Sequence, residues 1–394
     1  MIKREMTGDA DLIKQINIML VMNLIREKGP ISRIEISKIS KLNKATVSSM
    51  VEELIAKRYV VEIGEVKSKR GRRPTLLNFN GDAGYVIGIE LNVGFMTVIV
   101  VNLNAGVQWK KSYLISDNEK EIVDQLFKAI DEARSAVPQS ALGIIGIGIG
   151  VVGIVNHETG TLVIAPNAGL QNLPLKHLVE SYTGIQTFVD NDCNTSVIGE
   201  STFGAGKGRN HQILLSVTNR GIGVGIFIDG KVFRGQDGFA GEMGHMTINM
   251  EGPRCNCGNR GCWEMYSSPQ ALIRNFMKNK NIETPPKVDE IIALANAGDN
   301  GAITALTETG EFLGIGLANV VNTFNPEVII IRGDMAKADK WILNPIHRTL
   351  SERCYFYAST RIDIVPSRFG ELAASIGAAC EVIHYWFYSY EQKL

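Results

Sequence analysis

The stretch EMGHMTINMEGPRCNCGNRGCWE, residues 242–264, places His245, Cys255, Cys257 and Cys262 in one short segment bracketed by the carboxylates Glu242 and Glu264. Three thiolates and one imidazole are the donor set of a closed, tetrahedral structural zinc site. Nine, one and four residues separate successive ligands, a spacing that closes a compact knuckle rather than a long finger. Gly258 and Gly261 stand where a loop wrapped around a metal needs positive φ. The alternative, three buried or disulfide-bonded cysteines beside an unrelated histidine, leaves this spacing without a reason. Cys193, Cys354 and Cys380 are scattered and read as small core residues.

Around this segment the composition is ordinary. A chain of 394 residues, 45% hydrophobic and 21% charged, has room for two or three domains with their own cores. Lys3, Arg4 and Glu5 interrupt any apolar run at the start, so export is not expected. The longest apolar run, Ala141–Val155, has 15 residues interrupted by glycine, which falls short of a membrane span and suits a buried strand. A cytoplasmic protein is therefore expected. The formal net charge of zero hides an asymmetry: residues 1–80 hold 16 Lys/Arg against 9 Asp/Glu, and the remaining 314 hold 25 against 32. One end is built to meet a polyanion.

Within that basic end, Ile13, Ile16, Leu20 and Leu24 recur at helical spacing until Gly29-Pro30. Ser32 then caps a short helix, with Glu35 completing a capping box and Ile34, Ile36 and Ile39 directed inward. After the turn Lys41-Leu42-Asn43, a third helix from about Lys44 to Lys57 buries Val47, Val51, Leu54 and Ile55. Its other face carries Lys44, Thr46, Ser48 and Ser49, small or basic groups that let a helix sit in a major groove. Two strand-like runs, Tyr59–Ile63 and Leu76–Phe79, flank a basic loop from Lys67 to Arg73. This is the pattern of a winged helix-turn-helix over residues 1–80. Ser32, Lys44, Thr46, Ser48, Ser49, Arg70, Arg72 and Arg73 are its candidate DNA contacts, the last two on a thin loop suited to a minor groove. A three-helix protein-interaction module with a solvated loop is the alternative.

From Gly84 the chain becomes α/β. Tyr85–Leu91 and Thr97–Val101 read as strands joined by a tight turn, and Glu121–Ala136 as a helix. Ile213–Val217 and Gly225–Ile228 repeat the theme around the glycine-rich Gly221–Gly225, read as a turn. Two halves of this kind suggest two related lobes with a ligand cleft between them. Asn167, Asn191 and Asp192 follow apolar strands, and Glu242 precedes His245 by about one helical turn. Rigidly mounted Asn, Asp, Glu and His groups suit a polyhydroxyl ligand, because each hydroxyl both donates and accepts a hydrogen bond.

Glu242-Met243-Gly244-His245 with the Cys255, Cys257, Cys262 knuckle and Glu264 resembles the signature of the ROK family of bacterial sugar kinases and sugar-responsive repressors. The resemblance spans essentially the whole chain, with a winged helix in front as in the repressor branch. Leu42–Ser49, Gly71-Arg72-Arg73-Pro74 and Gly241–Ile248 look most like the xylose-responsive members. It implies a two-lobed actin-like ATPase fold over residues 81–394, one lobe from about 81 to 190 with the C-terminal helix, the other from 191 to 375. It also implies a sugar held by Asn191, Asp192, Glu242, His245 and Glu264. Asn167 and the Gly150–Gly153 turn are weaker candidates. His245 would then serve both zinc and sugar, and Asp192 matches the general base of the kinases.

Departures from the kinase pattern point to a sensor. Where kinases have Asp-x-Gly-Gly-Thr this chain has Glu90-Leu91-Asn92-Val93-Gly94. Gly-Thr-Gly-Ile-Gly becomes Asn219-Arg220-Gly221-Ile222-Gly223, and a glycine run after a strand becomes Arg332-Gly333-Asp334. No nucleotide and no enzymatic activity are expected. The expectation is a homodimer on a palindromic operator of a xylose-utilisation operon, released by D-xylose. A kinase with a regulatory head, or a repressor answering to glucose or an N-acetyl sugar, is the alternative. If the wing reading holds, Arg72→Ala and Arg73→Ala weaken operator binding and flatten its salt dependence while sugar affinity stays put. DNA titrations over a salt series that leave affinity unchanged would remove the wing from the interface.

Overall fold

The computed structural model describes residues 10–65, 75–219, 221–355 and 362–388. Arg70, Arg72 and Arg73 lie outside the described residues. The head comprises α1 (Ala10–Lys28), β1 (Ile31–Ser32), α2 (Arg33–Ser40), α3 (Lys44–Ala56), β2 (Val60–Glu65) and β3 (Thr75–Phe79), its strands paired antiparallel in the order β1-β3-β2. Local chemistry sets its helix ends. The Ser32 hydroxyl accepts from Glu35 N at 3.3 Å while the Glu35 carboxylate accepts from Ser32 N at 3.0 Å, a reciprocal capping box. Lys41 in the left-handed region ends α2, and the Asn43 side chain accepts from Thr46 N to start α3.

In α3, Val47, Met50, Val51 and Leu54 are buried, Lys44 and Ser49 are exposed, and Thr46 and Ser48 are intermediate. The inward assignment of α2 needs correction. Ile36 is buried, but Ile34 and Ile39 are 48% and 46% exposed. At 3.6 residues per turn, Ile34 stands nearly opposite Ile36.

The first lobe contains β4 (Tyr85–Asn92), β5 (Phe95–Asn102), β6 (Val107–Leu114), α4 (Glu119–Ser135), β7 (Ile144–Val151), the small sheet β8 (Ile154–Asn156), β9 (Thr161–Ala165), β10 (Leu170–Leu173), then α5 (Leu175–Thr183) and β11 (Thr187–Asn191). The second contains α6 (Asp192–Thr202), β12 (Gln212–Thr218), β13 (Gly221–Ile228), β14 (Lys231–Val232), α7 (Glu264–Ser267), α8 (Pro269–Lys280), α9 (Val288–Asn296), α10 (Asn300–Phe324), β15 (Val328–Gly333), α11 (Asp339–Arg353) and β16 (Asp363–Pro366). The closing helix is α12 (Ala373–Tyr388).

The main sheets run β11-β7-β4-β5-β6 and β14-β13-β12-β15-β16. In each, the first strand in sequence sits centrally, two antiparallel strands extend one side and two parallel strands the other. The halves are copies of one topology, the duplication that defines the actin-like fold.

The segment Gly221–Gly225 is strand, not turn: it opens β13, and the chain reverses before it. A Cβ at Gly223 would stand 2.5 Å from Cys193 Sγ, and one at Gly225 would stand 2.3 Å from the Cys193 carbonyl oxygen. Alternate glycines on one face of the strand thus let the first turn of α6 lie directly on the sheet.

Head and first lobe share one apolar core. Val21, Ile25 and Phe79 of the head pack with Ile383 and Phe387 of α12 and with Val86 and Ile99 of the lobe. The Phe79 and Phe387 rings are 5.5 Å apart, edge to face, and the Arg26 guanidinium lies 4.0 Å over the Phe387 ring. Among the described residues no helix is long and apolar enough to cross a membrane. Phe387→Ala is expected to cost about 3–5 kcal/mol and to split denaturant unfolding into a head transition and a lobe transition. A single transition of unchanged midpoint would mean that the shared core does not couple the two.

Candidate functional site

A cavity of about 430 Å³ opens between the lobes, within the size range of small-molecule sites. Asn191, Asp192, Glu242, His245 and Glu264 all line it, with Asn92 and Gly153 on the first-lobe side and Arg332 at its base. Five of the six sequence-derived sugar candidates are therefore brought to one cleft. Asn167 falls in the one-turn helix Pro166–Ala168, and its side chain lies outside the described residues.

Each wall has a local cause. β11 ends at Asn191, whose Oδ1 caps α6 by accepting from Cys193 N at 2.8 Å and Asn194 N at 3.2 Å, while Nδ2 donates to the Gly153 carbonyl at 2.9 Å. Capping already engages most of Asn191, which leaves it one amide proton for a ligand. Asp192, the first residue of α6, is buried. Burial pushes its carboxyl up to about 6; Glu90 and Glu242 add to that, and Arg332 opposes it.

On the facing wall, Glu242–His245 form a single 3₁₀ turn that brings Glu242 Oε2 to 3.9 Å from His245 Nε2. Glu264, at the start of α7, sets Oε1 3.5 Å from His245 Nδ1 and accepts from Cys255 Sγ at 3.0 Å. His245 thus turns Nδ1 toward the knuckle and Nε2 toward Glu242.

The knuckle ligand atoms of His245, Cys255, Cys257 and Cys262 all lie within 4.8 Å of one another. Cys255 Sγ is 3.6 Å from His245 Nδ1, and Cys257 Sγ is 3.7 Å from Cys262 Sγ. A tetrahedron with ordinary metal–sulfur and metal–nitrogen bonds has edges of about 3.6 and about 3.8 Å for these pairs. The donor set fits a structural metal ion. Two isolated bridges, Thr247 with Cys262 and Arg254 with Arg260, hold the loop, and Gly258 and Gly261 have φ of 93° and 69°. Asn259 Nδ2 donates to Cys262 Sγ at 3.4 Å, an outer hydrogen bond that stabilises thiolate charge.

Two arginines were missed as site groups by sequence reasoning. Arg332, noted only as a departure from a glycine motif, is buried at the cleft base, 3.2 Å from Glu90 Oε1. An arginine ending the apolar run Ile329–Ile331 was the available signal. Arg234 holds Asp190 Oδ2 at 2.7 Å and reaches Glu381 of α12 at 3.5 Å, with His157 Nε2 3.4 Å from the same Glu381. Burial and Asp190 push the Glu381 carboxyl up to about 8 against the pull of Arg234.

On the head, Lys44 and Ser49 are exposed on α3, with Thr46 and Ser48 half-buried on its flanks. Ser32 is different: it is 4% exposed and its hydroxyl hydrogen-bonds Glu35 at 2.7 Å, so the cap already engages it.

The ROK family model matches residues 86–384. The chain is 38% identical over 381 residues to the xylose repressor of Bacillus spizizenii, an alignment spanning 96% of this chain and 98% of that protein. A solved ROK family transcriptional regulator, described as a homolog of the E. coli MLC protein, superposes with a TM-score of 0.82 at 30% identity, covering 97% of this chain and 99% of that one. A ROK family glucokinase from Streptomyces griseus, in complex with glucose and AMPPNP, superposes with a TM-score of 0.68 at 28% identity over 75% of this chain and 98% of its own. Duplicated lobes, a cleft knuckle and a family match across most of the chain agree, and this protein belongs to the ROK family.

Proposed function

We propose that this protein is a sugar-responsive transcriptional repressor, whose head binds the operator of a xylose-utilisation operon and whose cleft takes D-xylose as inducer. The observation that carries the reading is the physical continuity of cleft and head. α6 begins at the cleft with Asp192, packs along α12, and α12 ends in the head core at Phe387. The full-length likeness to a protein named as a xylose repressor supports the choice of pentose. Asp192, Glu242, His245 and Glu264 supply acceptors and donors for ring hydroxyls, and Asn191 adds its free amide proton.

The knuckle metal is zinc on this reading, because three thiolates and an imidazole in a tetrahedron are its usual structural set. When bound, it fixes the loop and the orientation of the His245 ring. The protein acts as a homodimer in the cytoplasm, two α3 helices meeting half-sites one DNA turn or a multiple of it apart. It is a sensor and not an enzyme. Glu90-Leu91-Asn92 lacks the glycines and threonine of a kinase phosphate turn, and Arg332 fills the base of the cleft.

Sugar releases DNA only through its differential affinity for the two states. Moving the operator-bound fraction from about 99% to about 1% needs roughly a 10⁴-fold preference. At one fixed salt concentration, D-xylose is expected to release operator DNA while D-glucose and ATP do not. Retention of DNA at saturating D-xylose, or steady ATP consumption in the same samples, would overturn the reading.

Two site predictions accompany it. Cys257→Ser is expected to lose zinc by elemental analysis and to weaken D-xylose binding; a stoichiometric metal content in the variant contradicts the ligand assignment. Hydroxyl donors favour ionised Asp192, whose pKa of about 6 lies above its ordinary value. Affinity is therefore full above that pH and falls by up to about tenfold per unit below it. Calorimetric titrations that give the same affinity at pH 5 and pH 7.5 would exclude Asp192 as an acceptor.

A further inference from the structure

We propose that Arg332 is the positioning residue of the sugar site: its guanidinium ties three elements together at the cleft base and holds the Asp192 carboxylate charged and in place to accept a hydroxyl. This rests on the sugar-binding reading above and goes beyond it, since nothing in that reading requires a cation in the cleft. Arg332 ends β15 and is 4% exposed. Nη2 lies 3.2 Å from Glu90 Oε1 on β4 and 4.0 Å from Asp192 Oδ2 on α6. Nη1 donates to Ser196 Oγ, and the Ser196 hydroxyl donates in turn to the Asp192 carbonyl oxygen at 2.6 Å. Glu90 is itself steadied by Asn92 Nδ2 at 3.3 Å. One planar fork thus reaches the central strand of the first lobe and the first turn of α6 from the second lobe, which a lysine's single ammonium could not match in geometry.

The distances divide the labour. Glu90 takes the close contact, while Asp192 stands 4.0 Å from the guanidinium, facing the cavity that Asp192 and Arg332 line. Asp192 is faced by Arg332 from β15, Glu90 from β4, Glu242 from the 3₁₀ turn and Cys193 beside it. Of these, Arg332 alone opposes proton uptake on Asp192 through charge, and the two glutamates favour it. A neutral polyol brings no charge of its own to steady a buried carboxylate, so the counter-ion must be built in.

The test is calorimetric D-xylose binding from pH 5 to 8 with the full-length protein and Arg332→Met, Arg332→Lys and Glu90→Gln/Arg332→Met. Operator binding without sugar checks that each variant is folded, and the double variant avoids stranding Glu90 without a partner. Arg332→Met and the double variant are expected to lose about tenfold in affinity at pH 7 and to move the pH of half-maximal affinity upward by about one unit, since one unit of pKa is one factor of ten. Arg332→Lys is expected to keep that pH close to wild type. If the folded double variant weakens binding equally at every pH, or Arg332→Lys shifts the profile as far as Arg332→Met, the positioning role is wrong. If the wild type binds no D-xylose at any pH, the sugar reading itself fails, a separate outcome read from the first titration.

Discussion

The contact between α6 and α12 is backbone against backbone. A Cβ at Gly377 would stand 1.6 Å from the Thr195 carbonyl oxygen, and one at Gly199 would stand 3.0 Å from Gly377 Cα. Packing this close leaves no side-chain layer to absorb movement, because closely packed interiors shift as units. α12 lies equally close to the first sheet: a Cβ at Gly148 would meet the Ala378 carbonyl oxygen at 2.0 Å. The cleft wall at Asp192, the sheet of the first lobe and the head core around Phe387 are therefore parts of one rigid assembly, and the fold's other features are arranged about it.

Electrostatics clamps the same place from both sides. Each of two guanidinium groups from the second lobe stands between two carboxylates. Arg234 lies between Asp190 and Glu381, and Arg332 between Glu90 and Asp192. Asp190 Oδ1 also accepts from Asn191 N at 2.7 Å and Asn194 Nδ2 at 3.0 Å, so Arg234 reaches the α6 cap through one shared carboxylate. Buried pairs of this kind add little net stability, but their directionality fixes which groups meet. They register the second-lobe sheet against the α6–α12 contact at the point where a ligand in the cleft would press.

What the sequence disclosed follows from how far apart the interacting residues lie. The capping box at Ser32 and Glu35 and the close spacing of the knuckle residues are short-range chemistry and were legible, whereas Asn43 was read only as part of a turn and proves to cap α3. The glycines of β13 were misread because density of glycine signals a turn locally, whereas the reason at Gly223 and Gly225 is the approach of Cys193 from a distant helix. Ile34 and Ile39 failed for a simpler reason: an eight-residue helix buries only one narrow face, and Ile36 occupies it. Arg332 was visible as an oddity and illegible as a site group, since its nearest carboxylate, Glu90, is 242 positions away. Asn191 was placed correctly in the cleft, yet its side chain is chiefly a cap.

The shared core also constrains how a ligand signal can travel. Head, first lobe and α12 pack as one hydrophobic unit, so closing the cleft cannot bend the head relative to the first lobe without breaking that core. The knuckle, Glu242 and Glu264 lie outside that core, so a ligand that draws them toward Asp192 would shift them relative to the head while leaving the core intact. In a symmetric dimer the two heads are then re-spaced only if the protomers are joined through the second lobe; joined through the first, the heads would keep their separation whatever the cleft holds. For a symmetric dimer whose heads respond by such a shift, the dimer contact and the head would therefore lie on opposite sides of the cleft.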